Sequence, residues 1–72
     1  MNKDWKPLES SIIEAARYNY EEQVLQIDFY DTGVYTYFKV PYKTAQDFFN
    51  ASSHGSYLNN KIRGYYDYEN ES

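Results

Sequence analysis

The sequence predicts an α+β fold in which a three-stranded antiparallel sheet carries two helices on one face, in the order β-β-β-α-α. Residues 24–29 alternate apolar and polar side chains, which is typical of a half-buried strand. A short loop containing Gly33 joins this strand to a second β-branched and aromatic stretch. After Pro41 the apolar side chains change to helical spacing. Packing both helices on one face of the sheet would bury the apolar side chains of the strands and of the helices together.

The first strand is predicted within residues 11–18, and residues 18–23 are predicted to form a turn. Glu14, Ala15 and Ala16 would favour a helix on propensity alone. The segment is short and lies beside a clear strand, so we expect a strand here as well.

The second and third strands are predicted to form a hairpin with the loop Asp31-Thr32-Gly33, because this loop places only Gly33 in the left-handed region. In that register Tyr30 pairs with Val34, Phe29 lies opposite Tyr35, and Ile27 lies opposite Tyr37. Cross-strand partners share a face.

The expected register therefore puts Tyr35 and Tyr37 on the helix-covered face, beside Leu25, Ile27 and Phe29. The opposite face then exposes a β-branched and aromatic set, for which we expect a role as a subunit interface: Val34, Thr36, Phe38 and Tyr30. The alternative is that Trp5 and the N-terminal segment fold over it.

Two helices are predicted, over residues 41–51 and 56–66, with a break at Gly55. The first would bury Ala45, Phe48 and Phe49. The second would have an apolar stripe and a polar stripe, formed by Leu58, Ile62 and Tyr65 and by Ser56, Asn59 and Arg63.

Composition limits the sources of stability. With 72 residues, no cysteine and a single histidine, the chain is near the lower size limit for one core and offers neither disulfides nor a zinc site. Ten tyrosines, four phenylalanines and one tryptophan exceed what so small a domain can bury. We therefore expect aromatic contact sites at the surface and a homo-oligomer.

The charge balance bears on the kind of partner. Seven basic against eleven acidic residues give a net charge of −4, which disfavours an extended nucleic acid unless the cations cluster. The first eleven residues do not resemble a secretion signal, and no segment approaches membrane-spanning length. A cytoplasmic protein without a membrane partner is expected.

The string from Ser10 to Tyr66 resembles the KTSC domain. The matching features are Ser10-Ser11 before Ile13, the alternating strand, Tyr35-x-Tyr37, Val40-Pro41, and a long C-terminal string from Ala51 through Ser52-Ser53-x-Gly55-x-Tyr57-Leu58-Asn59-x-x-Ile62-Arg63 to Tyr66. Arg17 stands where the pattern has a glycine. The resemblance implies a small freestanding bacterial or phage form with one domain over residues 10–66. An N-terminal extension (1–9) and a tail (67–72) remain, and we expect the tail to be frayed because it is acidic.

The C-terminal string also suggests a ligand site. Gly55 would bring the backbone close to an anion at a helix start, and Arg63 lies on the same polar helix face as Ser56 and Asn59. An ordinary helix break with a serine cap is an equal alternative. Tyr35 and Tyr37 could stack on a base, although burial under the helices is favoured. The candidate ligand-binding residues are Arg63, Lys61, Asn59, Gly55, Ser56, His54, Tyr57, Tyr37 and Tyr35.

Binding is expected rather than catalysis. His54 has no evident nucleophile or orienting carboxylate beside it, and the acidic residues are scattered, so neither a catalytic site nor a metal or cofactor site is predicted. The first hypothesis is a small nucleotide-type anionic ligand, by analogy with phage proteins that sequester nucleotide immune signals. The alternatives are RNA binding, as the KTSC resemblance implies, and an acidic aromatic module that binds a protein.

Overall fold

The computed structural model describes residues 5–71, so the parts of the predicted extension and tail at residues 1–4 and 72 lie outside the described residues. It has five strands: β1 (Lys6–Pro7), β2 (Ile13–Asn19), β3 (Val24–Phe29), β4 (Gly33–Tyr37) and β5 (Tyr68–Asn70). Helix α1 (Tyr42–Asn50) and helix α2 (His54–Tyr57) follow β4, and α2 continues directly into a π-helical segment (Leu58–Ile62).

The strands form one antiparallel sheet in the order β1-β2-β3-β4-β5. The predicted α+β class, with an antiparallel sheet and two helices, is confirmed. The predicted number of three strands is wrong, because short edge strands at both ends of the chain extend the sheet. β1 and β5 contain two and three residues without apolar alternation, so only their pairing with β2 and β4 defines them.

The β3–β4 hairpin differs from the predicted register by two residues. Phe29 pairs with Gly33 and Ile27 with Tyr35, and the loop comprises residues 30–32. Gly33 has a φ of 83°, as predicted, but it is the first residue of β4 rather than the last residue of the loop. A shift of two residues keeps every side chain on its face. Tyr35 and Tyr37 therefore lie on the face of Ile27.

The core lies between that face and the helices. It contains the buried side chains of Ile13, Ala16, Leu25, Ile27, Phe29, Tyr37, Val40, Ala45, Phe48, Leu58 and Ile62. The predicted helical stripes are confirmed for Ala45 and Phe48 in α1, and for Leu58 and Ile62 in the second helical region. Phe49 is half-buried against this core.

The second helical region departs from the prediction at both ends. It begins at His54, with Ser53 as the N-cap accepting a hydrogen bond from the Ser56 N–H, so Gly55 lies inside α2 rather than at a break. It ends at Ile62, and Gly64, with a φ of 86°, turns the chain toward β5. Tyr65, predicted to continue the apolar stripe, is therefore 69% exposed.

On the other face of the sheet, polar side chains form a chain of contacts that we call the polar ladder: Trp5, Arg17, Gln26, Thr36 and Glu71. The Arg17 guanidinium carbon lies 4.3 Å from the centre of the Trp5 ring, and Arg17 Nε donates to Gln26 Oε1 at 2.6 Å. Gln26 Nε2 donates to Thr36 Oγ1 at 3.1 Å, and the Thr36 hydroxyl donates to Glu71 Oε2 at 2.5 Å. These contacts run from the N-terminal segment to the residue that follows β5.

Candidate functional site

Three tyrosines meet at the β4–β5 edge on the helix-covered side of the sheet. Tyr37 pairs with Tyr68 in the strand register, and the Tyr35 and Tyr68 rings stack with centroids 5.4 Å apart and an interplanar angle of 24°. The Tyr35 and Tyr37 rings stack at 6.4 Å. Tyr37 is buried, Tyr35 is half-buried and Tyr68 is 57% exposed. The exposure of the rings therefore increases from Tyr37 through Tyr35 to Tyr68.

Arg63 lies beside this cluster at the end of the π-helical segment. Its Nη1 donates to Asn59 Oδ1 at 2.8 Å, one helical turn earlier. Burial raises the pKa of Tyr37 above its ordinary value, the nearby Arg63 charge acts to lower it, and Tyr35 and Tyr68 act to raise it. We call these five residues the aromatic edge: Tyr35, Tyr37, Tyr68, Asn59 and Arg63.

Strand alternation keeps Glu69 and Glu71 of the tail away from the aromatic edge. Tyr68 pairs with Tyr37 and therefore lies on the helix-covered side, whereas Glu69 pairs with Thr36 on the other face. Glu71 also bonds to Thr36 on that face. The tail thereby contributes Tyr68 to one face and the carboxylates of Glu69 and Glu71 to the other.

Four of the nine predicted ligand residues lie in the aromatic edge: Arg63, Asn59, Tyr37 and Tyr35. Lys61 is exposed in the last turn of the π-helical segment. The remaining four lie in α2: His54, Gly55, Ser56 and Tyr57.

The α2 residues have contacts that account for them without a ligand. His54 Nδ1 lies 3.0 Å from the Phe48 carbonyl oxygen, which places the imidazole at the end of α1. A Cβ on Gly55 would lie 3.2 Å from Ile12 Cδ1, so glycine is suited to close packing here. The Tyr57 ring packs near Phe48, with centroids 6.4 Å apart. Helix α2 has four residues, and the backbone N–H of Ser56 is already bonded to the Ser53 hydroxyl.

The four residues predicted for a subunit interface do not form one exposed apolar surface. Thr36 is only 4% exposed and its hydroxyl is engaged in the polar ladder. Val34 and Phe38 are half-buried, while Tyr30 is 58% exposed. The alternative expectation, that Trp5 folds over this face, agrees in part with the structure, since the Trp5 ring packs on Arg17.

A concave surface lies at the opposite edge of the sheet, between β1, β2 and α1. It is an open cleft of about 690 Å³, with Lys6, Tyr18, Tyr42, Gln46, Phe49 and Asn50 among its walls. We call it the α1 cleft. Sequence reasoning missed it because Lys6 belongs to a two-residue strand that has no pattern of its own.

Residues 5–71 contain neither a metal-site cluster nor a membrane-spanning helix. The side chains described there include no cluster of three or more His, Cys, Asp or Glu residues placed to hold a metal ion. No helix in the same range has both the length and the apolar character needed to cross a membrane.

Comparison with known proteins identifies the family. A family model described as the KTSC domain matches residues 9–66. The chain belongs to the KTSC domain family. This confirms the resemblance found in the sequence. A crystal structure of a KTSC domain protein from Yersinia pestis is also similar, with 29% identity, a TM-score of 0.93, and coverage of 96% of this chain and 97% of that chain.

Two relatives place the KTSC domain in different contexts. Over 61 residues, the chain is 39% identical to a lysine–tRNA ligase of Nostoc sp., covering 85% of this chain but 11% of the ligase. A protein of Tsukamurella paurometabola is 38% identical over 58 residues, which cover 81% of this chain and 87% of that protein. The domain therefore occurs both as a small part of a large enzyme and as most of a small protein.

Tyr68 is the member of the aromatic edge that sequence reasoning missed. It lies in the acidic tail, where a strand of three residues gives no periodic signal. The only indication in the sequence was the tyrosine itself, placed among acidic residues.

Proposed function

We propose that this KTSC domain is a non-enzymatic binding protein whose aromatic edge holds a small, base-containing anion of the nucleotide type. The observation that carries the proposal is the stacked Tyr35–Tyr68 pair, with its exposed outer ring, beside the Arg63 guanidinium. A tyrosine ring offers a stacking surface to any base, and a guanidinium offers paired donors to a phosphate.

The Arg63 contact with Asn59 supports this role. The Asn59 carbonyl holds one guanidinium nitrogen at 2.8 Å, which limits the rotamers of a long side chain before any ligand binds. An oriented guanidinium loses less conformational entropy on binding than a free one. Arg63 thus has a fixed direction at the rim of the aromatic edge.

The size of the ligand follows from the charge. A net charge of −4 opposes a long polyanion, but a mononucleotide or cyclic dinucleotide has few phosphates and needs few cations. Arg63 and Lys61 are two such cations at the end of one helical segment. A protein that binds such a ligand without converting it lowers the free ligand concentration, and sequestration of a nucleotide immune signal is the biological role we propose.

RNA is the second candidate, favoured by one observation. The Nostoc relative is named a lysine–tRNA ligase, although this chain corresponds to only 11% of it. Single-stranded RNA would use the same tyrosines for base stacking and the same cations for phosphates.

Thermal shift followed by calorimetry separates these candidates. The ligands are AMP, cyclic AMP and cyclic dinucleotides in one arm, and a single-stranded RNA of about twelve nucleotides in the other. We expect saturable binding in the first arm, abolished by Arg63→Ala and partly restored by Arg63→Lys. Salt-sensitive binding confined to the RNA arm would favour RNA, and no response in either arm would contradict both.

The chain offers a matched control for the stacking surface. Tyr65 and Tyr68 are both more than half exposed and lie three residues apart, but only Tyr68 stacks on Tyr35. Tyr68→Ala should weaken nucleotide binding about tenfold, within the range for loss of one base–aromatic stack. Tyr65→Ala should leave the affinity unchanged. Equal losses in the two variants would argue against a site at the aromatic edge.

A further inference from the structure

The α1 cleft combines features that neither the packing of the sheet nor the aromatic edge explains. Its volume of about 690 Å³ lies in the range of small-molecule pockets, which is roughly 300–1,000 Å³. It lies at the β1–β2 edge, whereas Tyr68 and its neighbours lie at the β4–β5 edge, so the intervening strand separates the two places.

One wall of the cleft is a face of α1. Tyr42, Gln46, Phe49 and Asn50 are spaced by four, three and one residues, which places them along one side of the helix. This side presents two aromatic rings and two carboxamides. Tyr42 is 50% exposed and Phe49 is half-buried, so ring surface remains accessible.

The opposite wall is held rigidly by the sheet. Tyr18 donates its hydroxyl proton to the Val40 carbonyl at 2.6 Å, which anchors its ring beneath α1. The Tyr42 ring lies 6.3 Å from the Tyr18 ring and 5.3 Å from the Tyr20 ring, measured between centroids. The aromatic floor is thus fixed by contacts among β2, the turn that follows it, the segment before α1 and α1 itself.

The described walls of the α1 cleft include basic but no acidic residues, whereas the whole chain is acidic. Lys6 pairs with Ala16 in the register, which puts the lysine on the helix-covered side. Arg17 also borders the cleft, but its guanidinium is engaged in the polar ladder on the other face. Among the described residues 5–71, no Asp or Glu lines the cleft. The acidic residue within α1, Asp47, instead binds Lys43 at 3.3 Å. A chain with a net charge of −4 thus has a concave surface whose described lining includes Lys6 and contains no carboxylate.

We propose that the α1 cleft is a second binding site, specific for an aromatic anion: a flat conjugated ring that carries a phosphate or carboxylate group. Tyr42 and Phe49 contact the ring, Gln46 and Asn50 bond to its polar edge, and Lys6 binds the anionic group. This combination of apolar walls with a few placed polar groups is typical of small-ligand sites. The proposal stands on the cleft alone and does not depend on the aromatic edge.

The test is a ¹H–¹⁵N correlation titration of the Arg63→Ala variant, in which the aromatic edge is disabled. The probes are AMP and benzoate, which represent the phosphate and carboxylate sources, with adenosine and inorganic phosphate as controls that each lack one half of the chemistry. We expect saturable shifts at the amides of Lys6, Tyr18, Gln46 and Asn50 with at least one of the two anions, and weaker shifts with both controls.

The substitutions that test the cleft are at the exposed residues Lys6 and Gln46, so we expect the variants to remain folded. Lys6→Gln and Gln46→Leu should each weaken binding of the responding anion about tenfold, as expected for loss of a hydrogen bond to a charged or polar group. Lys43→Gln is the matched control for Lys6→Gln, because it removes a lysine that lies on α1 but is not among the cleft walls. The proposal is overturned if neither anion shifts the cleft amides at millimolar concentration, or if Lys43→Gln weakens binding as much as Lys6→Gln.

Discussion

On the helix-covered face of the sheet, β4 contributes Tyr35 and Tyr37 to a packed aromatic cluster, whereas on the other face it contributes Thr36 to a chain of hydrogen bonds. The first face excludes water from apolar rings. The second satisfies polar groups with one another. Neighbouring residues of one strand thus stabilise the fold in two ways, by apolar packing and by hydrogen bonding. Because side chains alternate along the strand, the two kinds of contact lie on opposite faces of the sheet.

The difference also indicates where each face can bind a partner. Polar side chains that already bond to one another present fewer unsatisfied groups to a ligand. The aromatic face, by contrast, ends at rings that are only partly covered, at Tyr68 on one edge and Tyr42 on the other. Both binding proposals therefore concern the rims of the helix-covered face.

The largest expected effect is in the middle of the helix-covered face. Ile27→Ala removes a fully buried side chain from the centre of β3 and should lower the free energy of unfolding by about 2–5 kcal/mol. Urea denaturation followed by circular dichroism measures the change. A loss below about 1 kcal/mol would mean that the core is not closed around this residue.

A moderate effect is expected from the polar ladder. Thr36→Val keeps the shape of the side chain but removes the hydroxyl that links Gln26 to Glu71, and should cost about 1 kcal/mol. The Glu71 amide, which bonds to the Val34 carbonyl, should then exchange its hydrogen faster. Unchanged exchange at Glu71 would show that the ladder does not hold the end of the chain.

A pH dependence follows from the buried tyrosine. Burial raises the pKa of Tyr37 in the folded state, so the unfolded chain releases this proton first as the pH rises above the ordinary tyrosine value of about 10. The stability due to Tyr37 is present below that pH and is lost as the pH rises through the folded-state pKa. The free energy of unfolding should thus fall more steeply above pH 10 in the wild type than in Tyr37→Phe. Parallel curves would contradict this assignment.

The smallest effect is expected at the surface of α1. Lys43→Ala removes an exposed ion pair with Asp47, four residues later, and should change the free energy of unfolding by at most about 0.5 kcal/mol. Thermal unfolding measures it. A larger change would mean that Lys43 makes a contact beyond this pair, and it would disqualify the residue as the control for Lys6.

The sequence predicted the parts of the fold that rest on repeated patterns. Alternation in residues 24–29 placed Ile27 and Tyr37 on the same face, and the need for a positive φ singled out Gly33. The register was wrong by two residues because Gly33 satisfies that need equally well inside the ladder. The predicted sheet face of each side chain was still correct, because only a register shift by an odd number of residues moves side chains to the other face.

What the sequence could not predict depends on pairing and packing across the chain. β1 and β5 are strands only because β2 and β4 offer free edges, so neither Lys6 nor Tyr68 could be assigned to a site. Gly55 was interpreted as an anion-binding glycine, yet its close neighbour is Ile12 from a distant part of the sequence. Of the other α2 candidates, His54 and Tyr57 contact Phe48 of the preceding helix, and Ser56 bonds to the N-cap Ser53.

The most direct test of the central claim is a chemical-shift map of the wild-type protein with the nucleotide that gives the largest thermal shift. The account predicts saturable shifts at the amides of Asn59, Arg63 and Tyr68, and their loss in Arg63→Ala while the spectrum of the fold stays intact. If no nucleotide produces such shifts, or if they persist in Arg63→Ala, the aromatic edge is not a nucleotide site.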